Sequence, residues 1–295
     1  MTSSGRRVRG RTIWVALAMG LFAACGGGDS GVGPDPDPDP GETLDPNVPP
    51  VTVGDWYRPP PDVTWQWQID GTINTSYEVG LYDVDLFDTP DAVLQGLSAR
   101  GVRLLCYFSA GTYEPNRADA GDIPASARGR QLEDWPNERW LDIRDSRVFG
   151  VMRSRLELAA QRGCDAVEPD NVDGFANNTG FPISDVDQLA FNRHLANEAH
   201  RLGLGIALKN DGDQAAQLVE YFDLELNEEC HQYDECQQLE PFIARGKPVL
   251  NVEYATGLSA ALNARDGICA ASNALKLRTL IMPWDLDDRF RVACF

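Results

Sequence analysis

The sequence predicts an α/β fold, a (β/α)8 or TIM barrel, in a single domain that follows a signal peptide and a disordered linker. After residue 62, short β-rich runs alternate with amphipathic helical stretches, which is the pattern of βα units around a parallel sheet. About eight such units in roughly 230 residues are typical of a closed barrel. No G-x-G-x-x-G sequence opens a helix, which disfavours an open dinucleotide-binding sheet.

Nine β-rich runs are expected to supply strands, and five amphipathic stretches are expected to form helices. The β-rich runs are Thr64–Asp70, Tyr77–Leu86, Val102–Ser109, Trp140–Ile143, Asp165–Asp170, Gly205–Lys209, Phe222–Asn227, Pro248–Glu253 and Thr279–Met282. The helical stretches are Asp91–Arg100, Arg147–Arg162, Val186–Leu202, Gln238–Arg245 and Leu258–Arg265. Composition does not shift again after residue 50, so we assign residues 51–295 to one barrel domain.

Residues 1–24 have the pattern of a lipoprotein-type signal peptide. Four arginines precede the apolar run Ile13–Ala24, which is too short to span a membrane comfortably. Small residues directly before Cys25 resemble a bacterial lipobox, in which the cysteine is lipidated, although Phe22 stands where leucine is usual. The alternative is a plain cleaved signal with an incidental cysteine.

Residues 25–50 are predicted to be a disordered tether. A run of three glycines at 26–28 and a Pro-Asp repeat at 34–40 leave this segment with little to bury, and its aspartates repel one another. We therefore expect an exported protein that is either a lipoprotein of the cell envelope or extracellular. Any contact with a membrane is expected through the N-terminal lipid only.

Six cysteines remain after Cys25, and an even number outside the cytoplasm predicts disulfides. Cys230 and Cys236 are close enough in sequence to close a small loop. Cys269 is expected to hold the C-terminus through Cys294. The last two, Cys106 and Cys164, are either a pair or buried thiols.

The formal net charge of −19 excludes nucleic acid as an expected partner, because such a field repels phosphate. The same field attracts a cationic substrate, although acidity also serves simply to keep an exported protein soluble. We expect a monomer.

Polar residues at the ends of the β-rich runs indicate where the chemistry lies. Carboxylates, amides or a lysine end the runs within 168–173, 208–211, 226–229 and 251–254. In a (β/α)8 barrel the C-terminal strand ends form the active face, so these acids converge on one rim. Closely packed acids shift one another's pKa, and glycosidic bonds are cleaved by such a carboxylate pair.

Four blocks of the sequence, in order, resemble glycoside hydrolase family 114, the endo-α-1,4-polygalactosaminidase-like enzymes. The blocks are Trp65-Gln66-Trp67-Gln68, Cys106-Tyr107-Phe108-Ser109-Ala110-Gly111, the run from Gly163 to Gly174, and Leu226-Asn227-Glu228-Glu229-Cys230. The resemblance implies a (β/α)8 barrel, no cofactor, and an α-1,4-linked galactosamine polymer as substrate. It also implies that Asp170 is the nucleophile and Glu228 the acid/base, and we predict a retaining reaction.

Eight further residues are expected to contact the substrate. They are Trp65, Gln68, Tyr107, Asp142, Asp173, Lys209, Asn210 and Glu253. Several of these predictions have alternatives. Trp65 and Trp67 are each either a sugar platform or core, and Glu253 is a rival to Glu228. Asp142 and Asp173 either bind a sugar amino group or cap a helix or turn. Glu168 is expected to form an ion pair with Lys209 inside the barrel.

Two other functions remain open at this stage. One is a non-catalytic carbohydrate-binding lipoprotein on the same barrel, which the presence of both Asp170 and Glu228 disfavours. The other is a metal-dependent hydrolase, which the lack of a histidine cluster disfavours, because His194 and His200 have poor spacing for a shared metal and His231 lies in a predicted loop.

Overall fold

A computed structural model describes residues 44–295 of the chain. The predicted signal peptide, Cys25 and the predicted tether up to residue 43 lie outside the described residues. In the part that is described, no helix is both long and apolar enough to cross a membrane.

Twelve strands lie in residues 44–295, and eight of them run parallel in one curled sheet. The strands are β1 (Trp65–Trp67), β2 (Leu81–Asp85), β3 (Arg103–Ser109), β4 (Thr112–Tyr113), β5 (Arg128–Gln131), β6 (Arg139–Leu141), β7 (Ala166–Asp170), β8 (Gly205–Lys209), β9 (Leu224–Glu228), β10 (Val249–Tyr254), β11 (Arg278–Met282) and β12 (Val292–Ala293). The order in the large sheet is β1-β2-β3-β7-β8-β9-β10-β11, with β12 antiparallel at its end. This arrangement confirms the predicted fold class.

Seven α-helices connect the strands. They are α1 (Asp91–Ala99), α2 (Ser146–Gln161), α3 (Asp185–Arg201), α4 (Ala215–Leu218), α5 (Cys230–Tyr233), α6 (Glu240–Ala244) and α7 (Leu258–Leu275) among the described residues. A capping box starts α3, where the Ser184 and Asp187 side chains bond each other's backbone N–H groups. Helix α7 continues ten residues beyond the predicted end at Arg265.

Side chains join the first parallel strand to the last. The Trp65 indole N–H donates to the Arg278 carbonyl at 2.7 Å, and the Arg278 guanidinium donates to the Val63 carbonyl at 2.9 Å. Arg291 adds a hydrogen bond to the Trp65 carbonyl. These contacts hold β1 beside β11 and give the sheet its curled form.

The run Trp140–Ile143 corrects the expected strand assignment. Its ordered part, β6, pairs with β4 and β5 in a separate three-stranded antiparallel sheet. It has no place in the barrel because β3 pairs directly with β7 through five residue pairs, from Leu105↔Ala166 to Ser109↔Asp170. The small sheet stands between the third and fourth barrel strands.

Three disulfides link the six described cysteines, and two of them are the predicted pairs. Cys230–Cys236 closes the small loop and Cys269–Cys294 holds the C-terminus to α7. The open alternative is resolved in favour of a bond, because Cys106 on β3 is joined to Cys164 just before β7. This third bond crosslinks residues 58 apart in sequence at the centre of the sheet.

An N-terminal arm of residues 44–58 lies along α3. Within it, Val51 donates its backbone N–H to the Asn197 side chain at 2.8 Å. Trp56 stacks on His200 with ring centroids 4.0 Å apart. Residues 44–50, which the sequence assigns to the tether, are part of this arm and contact α3 through backbone carbonyls.

Candidate active site

Strand periodicity directs the last inward-facing residue of four neighbouring strands into one cleft. These residues are Asp170 on β7, Lys209 on β8, Glu228 on β9 and Tyr254 on β10. Alternate residues of a strand share a face, and parallel strands present their C-terminal ends to the same side of a sheet. Short, local strand geometry is therefore enough to gather these side chains.

Left-handed residues end three of these strands immediately after the inward-facing group. Asn171, Asn210 and Glu229 have φ values of 60°, 54° and 59°. Asparagine tolerates this conformation, whereas glutamate adopts it at a cost of about 1–2 kcal/mol. Each turn takes the chain away from the rim and leaves the preceding side chain facing the cleft.

Lys209 lies at the centre of the site and contacts three carboxylates. Its Nζ is 3.1 Å from Glu168 Oε1, 3.0 Å from Asp170 Oδ1 and 3.1 Å from Glu228 Oε2. Burial by itself would lower the pKa of the ammonium, but the three acids raise it well above its ordinary value. Lys209 is therefore a fixed positive charge between the two proposed catalytic acids.

Glu228 is held by three donors, which are Lys209, Tyr254 and Asn210. The Tyr254 hydroxyl donates to Oε1, and the Asn210 amide donates to Oε2 at 3.1 Å. Burial pushes the pKa of Glu228 up, but Lys209 and the Tyr254 and Asn210 hydrogen bonds bring it below its usual value. These contacts therefore favour Glu228 as a carboxylate.

Asp170 is fixed through both its side chain and its backbone. Its Oδ2 accepts from Asn171 at 3.0 Å and from the Tyr107 hydroxyl at 3.4 Å. Its carbonyl accepts the N–H groups of Ala110 and Gly111. A Cβ atom on Gly111 would lie 1.8 Å from the Asn171 carbonyl oxygen, so only glycine allows this close approach.

A second pair of acids lies beneath the cleft, inside the barrel. The Asp83 and Glu168 side chains have no exposure to solvent. Burial raises the pKa of Glu168 to about 7, and burial with the neighbouring Glu168 raises the pKa of Asp83 well above its ordinary value. Two buried carboxyl groups in contact do not both ionise at neutral pH, so this pair holds at least one proton.

The cleft has a volume of about 840 Å³ and an acidic lining. Eleven lining residues are acidic, whereas three are basic: Arg117, Arg130 and Lys209. Burial and the charge of Asp170 raise the pKa of Asp173, on the cleft wall, to about 6. Arg117 is engaged by Asp85, Asp88 and Glu114, so its charge is compensated locally.

The structure brings most of the predicted site residues together. Tyr107, Asp173, Lys209 and Asn210 line the same cleft as Asp170 and Glu228. The expected ion pair between Glu168 and Lys209 is present.

Four predicted substrate contacts lie away from the cleft lining. Trp65 faces the barrel interior one layer below Trp67 and is fully buried. Gln68 is buried and bonds the backbone of Asp70, Thr72 and Asn74. Asp142 forms a bidentate ion pair with Arg144. Glu253 accepts from the His231 backbone and from Asn251 on the outer face of β10.

Residue parity explains the difference at Glu253. Leu250 and Val252 pack inside the barrel, so Tyr254 is the next inward-facing residue and Glu253 faces the helices. The β-rich run predicted from sequence ended one residue early, which hid Tyr254. Trp67, Trp135 and Trp284 also line the cleft. Of these three, only Trp67 is named in the sequence prediction, in which Trp65 and Trp67 are each either a sugar platform or core.

One group of potential metal ligands occurs in residues 44–295. It consists of Cys230, His231 and Cys236, but the two sulfur atoms are joined to each other in a disulfide. His194 and His200 instead contact the N-terminal arm.

Comparison with known proteins shows the family to which the chain belongs. The model of glycoside-hydrolase family GH114 matches residues 47–294. The chain belongs to this family. No sequence among the curated proteins matches it.

Solved structures agree with membership of family 114. Aspergillus fumigatus Ega3, crystallised with galactosamine, is 34% identical, with a TM-score of 0.78 over 82% of this chain and 99% of that chain. The glycoside hydrolase domain of Pseudomonas aeruginosa PelA is 15% identical, with a TM-score of 0.62 over 80% of this chain and 99% of that chain, and shares the fold. Family 114 membership confirms the prediction that the protein is a glycosidase.

Proposed function

We propose that this family 114 enzyme cleaves an α-1,4-linked, galactosamine-containing polysaccharide with retention of configuration. Asp170 is the nucleophile and Glu228 is the general acid and base. The observation that carries the proposal is that both carboxylates contact the same Lys209 ammonium in one open cleft.

The separation of the two carboxylates supports retention. Asp170 Oδ1 and Glu228 Oε2 lie 3.0 Å and 3.1 Å from one nitrogen atom, so these oxygens are at most about 6.1 Å apart, the sum of the two distances. Retaining pairs are spaced by about 5–5.5 Å, whereas inverting pairs need about 6.5–9.5 Å to admit a water molecule.

The proposed reaction has two steps. In the first, Glu228 protonates the glycosidic oxygen while an Asp170 oxygen attacks the anomeric carbon, so the C–O bond to the leaving sugar breaks and a glycosyl ester forms. In the second, the Glu228 carboxylate takes a proton from water, whose oxygen attacks the same carbon and releases Asp170. Two inversions give net retention.

The charge of Glu228 sets the expected pH dependence of the first step. Lys209 and Tyr254 lower the pKa of Glu228. The first step needs the protonated form, and its fraction grows as pH falls. We therefore expect an acidic optimum, limited on the alkaline side by the loss of this proton.

Two observations support an amino sugar as substrate. Ega3, a third identical in sequence, was crystallised with galactosamine. The cleft of the present chain has eleven acidic residues against three basic ones, which favours ammonium groups over neutral or anionic sugars. The polymer expected is a cationic, partly deacetylated one of the galactosaminogalactan type.

The test uses the full-length protein with galactosamine polymers of graded N-acetylation. Mass spectrometry should detect amino-sugar oligosaccharides released by the wild type and none released by Asp170→Asn. Release of sugars from neutral galactans but from none of the galactosamine polymers would overturn the proposed substrate while leaving the glycosidase intact.

The proposal also places the enzyme outside the cytoplasm, anchored through lipid on Cys25. It is supported by the signal-like residues 1–24 and the Pro-Asp tether. Wild-type protein should partition with membranes and Cys25→Ala should not. Recovery of a mature wild type that begins after Cys25 would contradict the anchor.

A further inference from the structure

The side-chain amide of Asn171 serves the proposed nucleophile in only one orientation. Its nitrogen donates one N–H to Asp170 Oδ2 at 3.0 Å and the other to Ser109 Oγ at 3.1 Å. Rotation of the amide by half a turn would instead direct its carbonyl oxygen at the Asp170 carboxylate, where two acceptors repel each other. Whatever prevents this rotation therefore helps to hold Asp170 in place.

Two buried hydroxyl groups lie behind this amide. Ser109 is the last residue of β3 and Thr112 is the first of β4, and neither is exposed to solvent. The two hydroxyl oxygens are in hydrogen-bond contact, and the Thr112 backbone N–H also donates to Ser109 Oγ at 3.1 Å. Each hydroxyl has a single hydrogen, so the pair can donate toward Asn171 or away from it, but not in both directions.

Glu138 selects the direction away from the amide. It directly precedes β6, lines the cleft, and accepts from the Thr112 hydroxyl at Oε2 with a distance of 2.7 Å. Because Thr112 gives its only hydrogen to this carboxyl oxygen, Ser109 must donate to Thr112 Oγ1. Ser109 Oγ is then left as an acceptor, which an amide N–H of Asn171 satisfies and an amide oxygen does not.

The far end of the chain favours the same polarity, because the Asp170 carboxylate also accepts only. Burial raises the pKa of Glu138 to about 7, and the charges of Glu114 and Asp170 add to this effect. A proton taken up by Glu138 goes to Oε1, since Oε2 is engaged by the Thr112 hydroxyl and goes on accepting. In acid, Glu138 therefore ends the chain without placing a negative charge beside Asp170.

We propose that Glu138 is a positioning residue for Asp170. Through the two buried hydroxyl groups it holds the Asn171 amide in the orientation that donates to the Asp170 carboxylate. A carboxylate held at one oxygen resists rotation about its Cβ–Cγ bond, so the other oxygen keeps its place in the cleft. This inference rests on the proposed function, in which Asp170 is the nucleophile, and gives a role to an acid that the proposed reaction does not use.

Thr112→Val breaks the chain at a residue that cannot touch substrate, because Thr112 is fully buried and does not line the cleft. Quenched-flow mass spectrometry in the Glu228→Gln background measures how fast an activated aryl glycoside labels Asp170. Labelling should be about tenfold slower with Thr112→Val, at an apparent KM within about twofold, since no contact with the sugar is lost. Thr112→Ser should recover the rate, and Thr52→Val, at an exposed residue of the N-terminal arm, should leave it unchanged.

A double-mutant cycle separates positioning from a general loss of structure. Asn171→Gly removes the amide, and glycine keeps the left-handed turn at this position. In that background Thr112→Val should slow labelling by less than about twofold, because the group that it orients is already absent. Glu138→Leu should match Thr112→Val in both backgrounds. An equal loss of rate in the two backgrounds, or labelling at the unmodified rate in Thr112→Val, would overturn the proposal.

A measurement without substrate distinguishes failure of the chain from failure of the proposed nucleophile. If Glu228→Gln forms no ester on Asp170, the proposed function fails, and NMR of the Asn171 side-chain amide decides the chain by itself. These resonances, assigned by their loss in Asn171→Gly, should move in Thr112→Val and in Glu138→Leu and return in Thr112→Ser. Such movement would support the chain whichever carboxylate attacks, whereas resonances that stay in place in both variants would overturn it.

Discussion

Lys209 and Tyr254 determine the protonation state of Glu228 in the free enzyme. Lys209 is itself fixed by Glu168 from below, and that acid belongs to a buried pair holding at least one proton. Removing Lys209 would leave several buried acids without a counter-charge, so the Tyr254 hydroxyl is the more tractable group to alter.

Tyr254→Phe should move the alkaline limb of the pH profile of kcat/KM upward. The variant loses a donor to the Glu228 carboxylate, so the pKa of Glu228 rises and the acid stays protonated to higher pH. A hydrogen bond to a charged group contributes about 1.5–3 kcal/mol, which corresponds to a shift of about one pH unit or more. The control is Tyr233→Phe, which alters a tyrosine that is 61% exposed. An alkaline limb that stays in place in Tyr254→Phe would show that Tyr254 does not tune the acid.

At the scale of elements, the site depends on how β3 and β4 meet the end of β7. Pairing of β7 with β8 ends at Val167, two residues before Pro169, which lacks the N–H needed to continue that ladder. Pairing with β3 continues to Asp170. The proposed nucleophile is therefore positioned from the β3 side, where Gly111 allows two backbone N–H groups to reach the Asp170 carbonyl.

Gly111→Ala should lower both stability and activity. Its Cβ would meet the Asn171 carbonyl at 1.8 Å, so the end of β7 must shift. Overpacking of this kind costs about 1–3 kcal/mol, and a displacement of about 1 Å at a catalytic group can cost about a hundredfold in rate. Gly121→Ala, where no atom lies within 4 Å of the added Cβ, is the control. Thermal unfolding and kcat on a soluble substrate measure both effects, and wild-type behaviour of Gly111→Ala would refute this role for the turn.

The strands of the barrel could be predicted from sequence because their alternation with helices is a local pattern. Side-chain direction could be predicted only where the strand end was known, and an error of one residue selected Glu253 instead of Tyr254. The antiparallel sheet around Trp140 depends on pairing between distant segments, which local periodicity does not encode. The cleft walls at Trp135 and Trp284 lie on loops whose position follows from that long-range pairing.

At the scale of the whole molecule, buried neutral acids link stability to pH. Burial raises the pKa of Asp211 to about 9, and burial raises the pKa of Glu225 well above its ordinary value. The folded state therefore keeps protons that the unfolded chain releases above pH about 4. This contribution to stability is complete below that pH and is lost as pH rises through the folded pKa, so the free energy of unfolding should fall from about pH 4 to about pH 9.

Asp211→Asn should flatten this dependence. An asparagine oxygen can still accept from Asn192, which donates to Asp211 at 2.9 Å, but the side chain no longer titrates. The slope of the unfolding free energy should decrease by up to about 1.4 kcal/mol per pH unit, measured from urea transitions between pH 5 and pH 8. Asp122→Asn, which alters an exposed acid in the loop between β4 and β5, should keep the wild-type slope. Equal slopes for wild type and Asp211→Asn would contradict a proton held at Asp211.

The catalytic assignment is tested most directly by azide rescue of Glu228→Gln on an aryl glycoside with a good leaving group. This substrate needs no acid in the first step, so the glycosyl–Asp170 ester should form and accumulate, and azide should attack it without needing a base. We expect faster turnover with azide and a glycosyl azide of the substrate's own anomeric configuration, with almost no activity on the natural polymer. A glycosyl azide of opposite configuration, or full activity of Glu228→Gln on the polymer, would contradict it.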